Sequence, residues 1–221
     1  NLTGNHNSAV GYNALAANLG SNNTAMGSRA GELITTGVDN TAIGMYALKT
    51  TVSTANNTAI GSSALQVNVA AGGTAVGKDA LKANLTGASN VAVGYVAAQS
   101  NTTGALNVAV GETALGTNIE GSQNTAIGAR ALRDNLGSNN TAVGLSALKL
   151  ATTGADNTAV GINAMGNAIV TGSFNTAIGY ASGYTVTSGD NNILLGKDSG
   201  RTGSPGGALT TTDNKIFLGD E

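Results

Sequence analysis

The sequence predicts an all-β fold, a parallel β-solenoid (β-roll) of about 13 coils, and three observations lead to it. Glycine is abundant (33 of 221 residues), whereas charged residues make up 10% and aromatics 3%. A core of the form Asn-Thr-Ala-(Ile/Val)-Gly recurs along the chain, mostly 16 or 17 residues apart. Two further columns, an Ala-Leu step and a second glycine, keep the same register.

Composition narrows the class first. Globular domains average about 25% charged residues and about 7% glycine, so an ordinary globule does not fit. Disorder does not fit either, because hydrophobic residues reach 41% and disordered chains combine low hydrophobicity with high net charge. The formal net charge is -2, without a basic run, so the electrostatic footprint of a nucleic-acid binder is missing. No apolar stretch approaches the roughly 20 residues that span a bilayer. Cysteine is absent, which excludes disulfide and thiolate–metal scaffolds.

The repeat sets the organisation. Its core ends at Gly11, Gly27, Gly44, Gly61, Gly77, Gly94, Gly111, Gly128, Gly144, Gly161 and Gly179, with diverged copies at Gly196 and Gly219. Ala-Leu follows three and four residues later, as at Ala47-Leu48 and Ala131-Leu132. The second glycine precedes the core glycine by seven, as at Gly37, Gly104 and Gly154. Length variation falls between these two columns, where an exposed loop absorbs it. Residues 1–196 read as solenoid repeats and residues 197–221, which contain the sole proline Pro205, as a diverged terminal coil.

Within each coil, Thr-Ala-(Ile/Val) alternates with the period of a strand, a β-branched residue on either side of an alanine. The glycine that follows allows the positive φ of a tight corner. A helix is excluded because apolar residues do not recur at 3–4 spacing and glycine interrupts every window. Parallel stacking at about 4.8 Å per coil gives a rod of roughly 60 Å. One coil is expected to bury an Ile or Val, a Leu and some alanines, which is little against its ordering entropy. The strand alanines are expected on the opposite face, free to pack against neighbouring chains in a cyclic homo-oligomer.

This frame carries few groups for chemistry. The one histidine, His6, lies outside the repeat core, so the nucleophile–base–orienter arrangement has no base. The carboxylates Glu32, Asp39, Asp79, Glu112, Glu120, Asp134 and Asp156 fall in different coils and read as a solvated face rather than a glycosidase pair. Calcium-binding β-rolls need Gly-Gly-x-Gly-x-Asp in each repeat, whereas Gly72-Gly73 leads into Thr74-Ala75. The phosphate-loop pattern is missing too. The sequence therefore predicts no catalytic residue, metal or cofactor, and no enzyme. A column of asparagines, Asn40, Asn57, Asn90, Asn107, Asn124, Asn140, Asn157 and Asn175, is expected to hydrogen-bond along the stack as amide ladders do. Tyr12, Tyr46, Tyr95 and Tyr180 recur just after the core glycine and are candidate surface contacts for sugar rings.

The phrase Asn-Asn-Thr-Ala-(Ile/Val)-Gly-x-x-Ala-Leu, separated by Thr-Thr-Gly or Gly-Ser-Asn-Asn, resembles repeats of phage and bacterial tail-fibre-like surface proteins. It is also similar to the repeat of YadA-like heads in trimeric autotransporter adhesins, and Asn7-Ser8-Ala9-Val10-Gly11 is the best local match. The adhesin repeat is shorter, so each coil here carries a longer loop. The resemblance covers essentially the whole chain and implies a homotrimeric extracellular fibre on a virion or cell surface. Its expected partners are copies of itself and a surface glycan or host receptor. Asp213–Glu221 resembles the segment ahead of a C-terminal chaperone or tip domain in tail fibres; a coil that caps the stack accounts for the same residues. The expected role is a structural or adhesive fibre. The alternative is a solenoid that binds a glycan or ice through its Thr and Tyr columns, with Thr24, Thr41, Thr58, Thr74, Thr125, Thr141, Thr158 and Thr176 as the Thr ladder.

Overall fold

The computed structural model describes residues 4–201 and 208–219. Among them, thirteen three-residue strands form one parallel sheet in sequential order, and there is no helix. The strands are β1 (Ser8–Val10), β2 (Thr24–Met26), β3 (Thr41–Ile43), β4 (Thr58–Ile60), β5 (Thr74–Val76), β6 (Val91–Val93) and β7 (Val108–Val110). They continue as β8 (Thr125–Ile127), β9 (Thr141–Val143), β10 (Thr158–Val160), β11 (Thr176–Ile178), β12 (Ile193–Leu195) and β13 (Ile216–Leu218). The chain is a parallel β-solenoid with a repeat of about 17 residues. Pairing is residue for residue: Thr41 opposes Thr58, Ala42 opposes Ala59 and Ile43 opposes Ile60. The last pair keeps this register across the longest insertion, with Leu194 against Phe217. Pro205 lies outside the described residues.

Each strand stops where the core glycine turns the chain. Gly44 has φ +127°, and a Cβ there would sit 2.6 Å from the carbonyl carbon of Gly61 in the next coil. Only glycine stacks at that distance in that conformation. The corner continues with two residues in the left-handed region, Tyr46 at φ 62° and Leu48 at φ 48°, and Ala47 N–H closes it on Gly44 O at 3.2 Å. The backbone alternates its partners across this corner. Tyr46 N–H donates to Ser28 O in the preceding coil at 3.0 Å, and Leu48 N–H to Ala64 O in the following coil at 3.1 Å. The Leu48 column holds Leu, Met165, Ala98 and Gly, while the Tyr46 column, also at positive φ, takes Val96 and Thr113 as well.

The two strand faces are reversed from the sequence expectation. The central alanines, among them Ala42, Ala75, Ala109, Ala142 and Ala159, are fully buried in the interior. Thr and Ile/Val point outward: Met26 is 51%, Ile127 42% and Ile178 43% exposed. The interior explains this, since it already holds a leucine column (Leu48, Leu65, Leu81, Leu115, Leu132, Leu148) and buried asparagines. A methyl group fits the remaining width where a branched side chain would overpack it. The apolar surface left on the outside is therefore the β-branched face, and the alanine column is core.

One substitution pattern confirms how tight this core is. Where the leucine column carries Gly31, Gly183 or Gly200, the volume is filled from another position by Ile34, Val186 or Leu209, each buried. A Cβ at Gly31 would lie 3.0 Å from Ile34 Cδ1, and one at Gly200 would lie 3.3 Å from Leu209 Cβ. In these three coils, close packing is kept by exchanging volume between two positions.

Candidate functional site: the asparagine ladder and the exposed strand face

The residue before each threonine-led strand, in most coils an asparagine, points inward and links successive coils. Asn40 Oδ1 accepts the N–H of Asn57 at 3.1 Å, Asn107 Oδ1 that of Asn124 at 2.9 Å, and Asn140 Oδ1 that of Asn157 at 3.0 Å. In most rungs the amide nitrogen reaches the second-glycine column of the following coil, whereas Asn40 Nδ2 donates to Thr54 O at 2.9 Å and Asn57 Nδ2 to Thr54 Oγ1 at 3.1 Å. Asn90 Nδ2 donates to Gly104 O at 2.7 Å and Asn124 Nδ2 to Gly137 O at 3.0 Å. These asparagines are fully buried or nearly so. The ladder runs mainly from side chain to backbone and satisfies an N–H that the three-residue strand does not pair, with amide-to-amide bonds added at rungs such as Asn57 to Asn40 at 3.1 Å. At Gly73 the column loses its side chain, while Asn57 Oδ1 still accepts the Gly73 N–H at 2.9 Å.

A second buried asparagine column escaped the sequence reading. Asn84 Nδ2 donates to Asn68 Oδ1 at 2.7 Å, Asn101 to Asn84 at 2.7 Å and Asn118 to Asn101 at 2.8 Å. Here the contact runs amide to amide, as in stacked cross-β ladders. Its signal was an Asn seven residues after the core glycine, at Asn18, Asn68, Asn84, Asn101, Asn118 and Asn135. In the coil between Ile34 and Asn68 the same position holds Thr51, whose buried hydroxyl has no hydrogen-bond partner among the described residues.

The core glycines Gly11, Gly27, Gly44, Gly61, Gly77, Gly94, Gly111, Gly128, Gly144, Gly161, Gly179 and Gly196 all have positive φ, and Gly219 lies against Gly196 at the end of the column. Asn40, Asn57, Asn124 and Asn157 all belong to the first ladder. The tyrosines are dispersed along one corner. Tyr12, Tyr95 and Tyr180 are exposed, whereas Tyr46 is half-buried between Arg29 and Lys49, 5.9 and 5.1 Å from its ring centre.

The acidic side chains serve local structure. Burial pushes the Asp79 carboxyl up, but hydrogen bonds and charge from Lys78 and Lys82, at 2.7 and 3.1 Å, together bring it below its ordinary value. Asp134 pairs with Arg133 and Asp198 with Arg201. Asp190 Oδ1 accepts the N–H of Ser173 at 2.7 Å. Among the described residues no three His, Asp or Glu side chains gather as a metal set, and no helix is long and apolar enough to cross a membrane.

The extended outer face is the other candidate site. Its Thr column leads eight of the thirteen strands, broken by Val91 and Val108, and runs beside a column of Ile and Val with Met26, Leu195 and Leu218. No family model matches the chain, and no curated protein matches it in sequence.

Proposed function

We propose that this chain is a stiff fibre or adhesin segment that associates side by side with copies of itself. On the resemblance to tail-fibre and YadA-like repeats the assembly is a homotrimer on a virion or cell surface, extending an attachment element outward. The observation that carries this reading is the outward strand face, where apolar side chains, mostly Ile and Val, line up at one register along the whole sheet. At about 4.8 Å per strand the strip is roughly 60 Å long. Monomers rarely leave apolar patches beyond a few hundred Å² uncovered, so a strip of this length calls for a partner. Identical copies turned about the long axis offer each other the same strip, and rotational closure hides all of them at once.

Sedimentation equilibrium and electron microscopy test the reading together. The expected result is a defined oligomer seen as rods of constant width. A double substitution on the strip, Ile60→Lys with Ile127→Lys, is expected to give monomers with unchanged far-ultraviolet dichroism. A wild-type monomer at micromolar concentration would overturn the proposal. The Thr ladder favours ice binding less, because Val91 and Val108 break it. Absence of thermal hysteresis above a buffer control disposes of that reading.

A further inference from the structure

All five tyrosines, and every lysine and arginine except Lys215, fall one, two or five residues after a core glycine. The stacking of the coils turns that spacing into a single corner running the length of the rod. After the core glycines up to Gly196 the same offsets hold four carboxylates, Glu32, Asp79, Glu112 and Asp198, against nine cations, and the corner ahead of the strands carries Asp39, Asp156, Asp190 and Asp213. The chain is thus cationic and aromatic along one edge although its net charge is -2.

We propose that the stretch of this edge from Tyr12 to Tyr95 binds an acidic polysaccharide laid along the rod. Rings and cations alternate there. Arg29 approaches the Tyr46 ring from the preceding coil and Lys49 from the same coil, and Lys78 Nζ stands 5.4 Å from the centre of the Tyr95 ring. Tyr12 and Tyr95 are 68% and 52% exposed. A sugar C–H face stacks on such rings, and a fixed cation beside the ring selects a carboxylate or sulfate on the same sugar. Arg29 lies 3.9 Å from Glu32 on the same edge, yet the four cations of this stretch outnumber its two carboxylates, Glu32 and Asp79. Lys78 and Lys82 share the single carboxylate of Asp79, and Lys49 has no acidic partner among the described residues. Tyr12 and Tyr46 are two coils apart and Tyr46 and Tyr95 three, or about 10 and 14 Å at 4.8 Å per coil. That spacing suits an extended chain read at intervals rather than one monosaccharide. The assignment builds on the attachment reading by naming a ligand class, and it places recognition on the side of the rod.

The test is retention of the purified chain on immobilised alginate, a polyuronate, with dextran as the neutral comparison. The wild type is expected to bind alginate at low salt, elute as salt rises, and pass through dextran. Tyr46→Ser with Tyr95→Ser uses residues that the repeat already carries at these positions, Ser63 and Ser62. This variant, and Arg29→Gln with Lys49→Gln, should each weaken binding about tenfold, the scale of one or two cation–ring contacts. Arg130→Gln with Lys149→Gln removes the same charge from the same edge beyond the rings, and should leave binding within about twofold, well under one such contact. Equal loss in that control pair, or no retention of the wild type on alginate, overturns the assignment. Assembly is followed separately by sedimentation. Intact rods without binding refute the polysaccharide edge alone, and monomers that still bind refute the fibre reading alone.

Discussion

Replacing Asn124 by alanine isolates the contribution of one rung of the ladder. The substitution removes the acceptor of the Asn140 N–H, a 2.9 Å bond, and the donor to Gly137 O at 3.0 Å. The Gly137 carbonyl keeps a second donor, Asn135 Nδ2 at 2.8 Å, so the group left without a partner is the Asn140 N–H. Orphaning one buried backbone donor costs about 1–3 kcal/mol. For a chain of this length each kcal/mol lowers the melting temperature by roughly 2–4 °C. Solenoid stability is a sum of coil and neighbour terms, so the damage should centre on the step between β8 and β9. Urea unfolding gives the total, and hydrogen exchange resolved by residue gives the location. The Asn140 amide should exchange much faster while the amide of Asn57, four rungs away, is unchanged. A loss below about 0.5 kcal/mol, the ordinary scatter of surface substitutions, would refute the reasoning, as would unaltered protection at Asn140.

Other substitutions probe the corner, the core and the charges. Gly44→Ala brings a Cβ against the Gly61 carbonyl at positive φ and should cost more than about 1 kcal/mol in chemical denaturation. Leu115→Ala empties part of the buried leucine column and should cost about 2–5 kcal/mol by the same measurement. Leu48→Gly alone should be comparably severe, but adding Thr51→Ile recreates the Gly31–Ile34 arrangement and removes a buried hydroxyl that lacks a partner. A double-mutant cycle should return a favourable coupling of about 0.5–3 kcal/mol, and simple additivity would contradict the volume-exchange rule. Asp79 is held below its ordinary value of 3.8 in the folded chain. A carboxyl shifted down contributes stability that is complete above its unfolded pKa and is lost as pH falls through the folded one. Asp79→Asn should therefore flatten the stability profile below about pH 4, and an unchanged acid limb would argue against the Lys78–Asp79–Lys82 cluster.

Strand positions, register and sequential stacking were legible in the sequence because Asn-Thr-Ala-(Ile/Val)-Gly marks the same place in every coil. Orientation was not. Alternation in Thr-Ala-Ile separates two faces, but only the width of the interior decides which face enters it, and that width is set by Leu48 and its equivalents half a coil away. The second asparagine column was hidden by its interruptions at Ile34 and Thr51 and by its end after Asn135. Leucine at positive φ is equally hard to foresee, since nothing local favours it there; it is held by its buried packing and by bonds such as Leu48 N–H to Ala64 O. The tyrosines were visible as a recurrence, while their pairing with cations from adjacent coils required the stacked geometry.

The asparagine ladder also has a direction. Every Oδ1 in it accepts from the coil that comes later in the chain, as Asn175 does from Asn192 at 3.0 Å and Asn192 from Lys215 at 2.9 Å. A finished coil therefore holds out a preplaced acceptor to residues not yet folded, while its own N–H has been satisfied from behind. Synthesis from the N-terminus delivers chain in that same order, so each new turn can be laid onto a surface already shaped to receive it. Ordering the next turn needs no contact with distant sequence, and the rod can lengthen during translation much as a crystal face takes on its next layer.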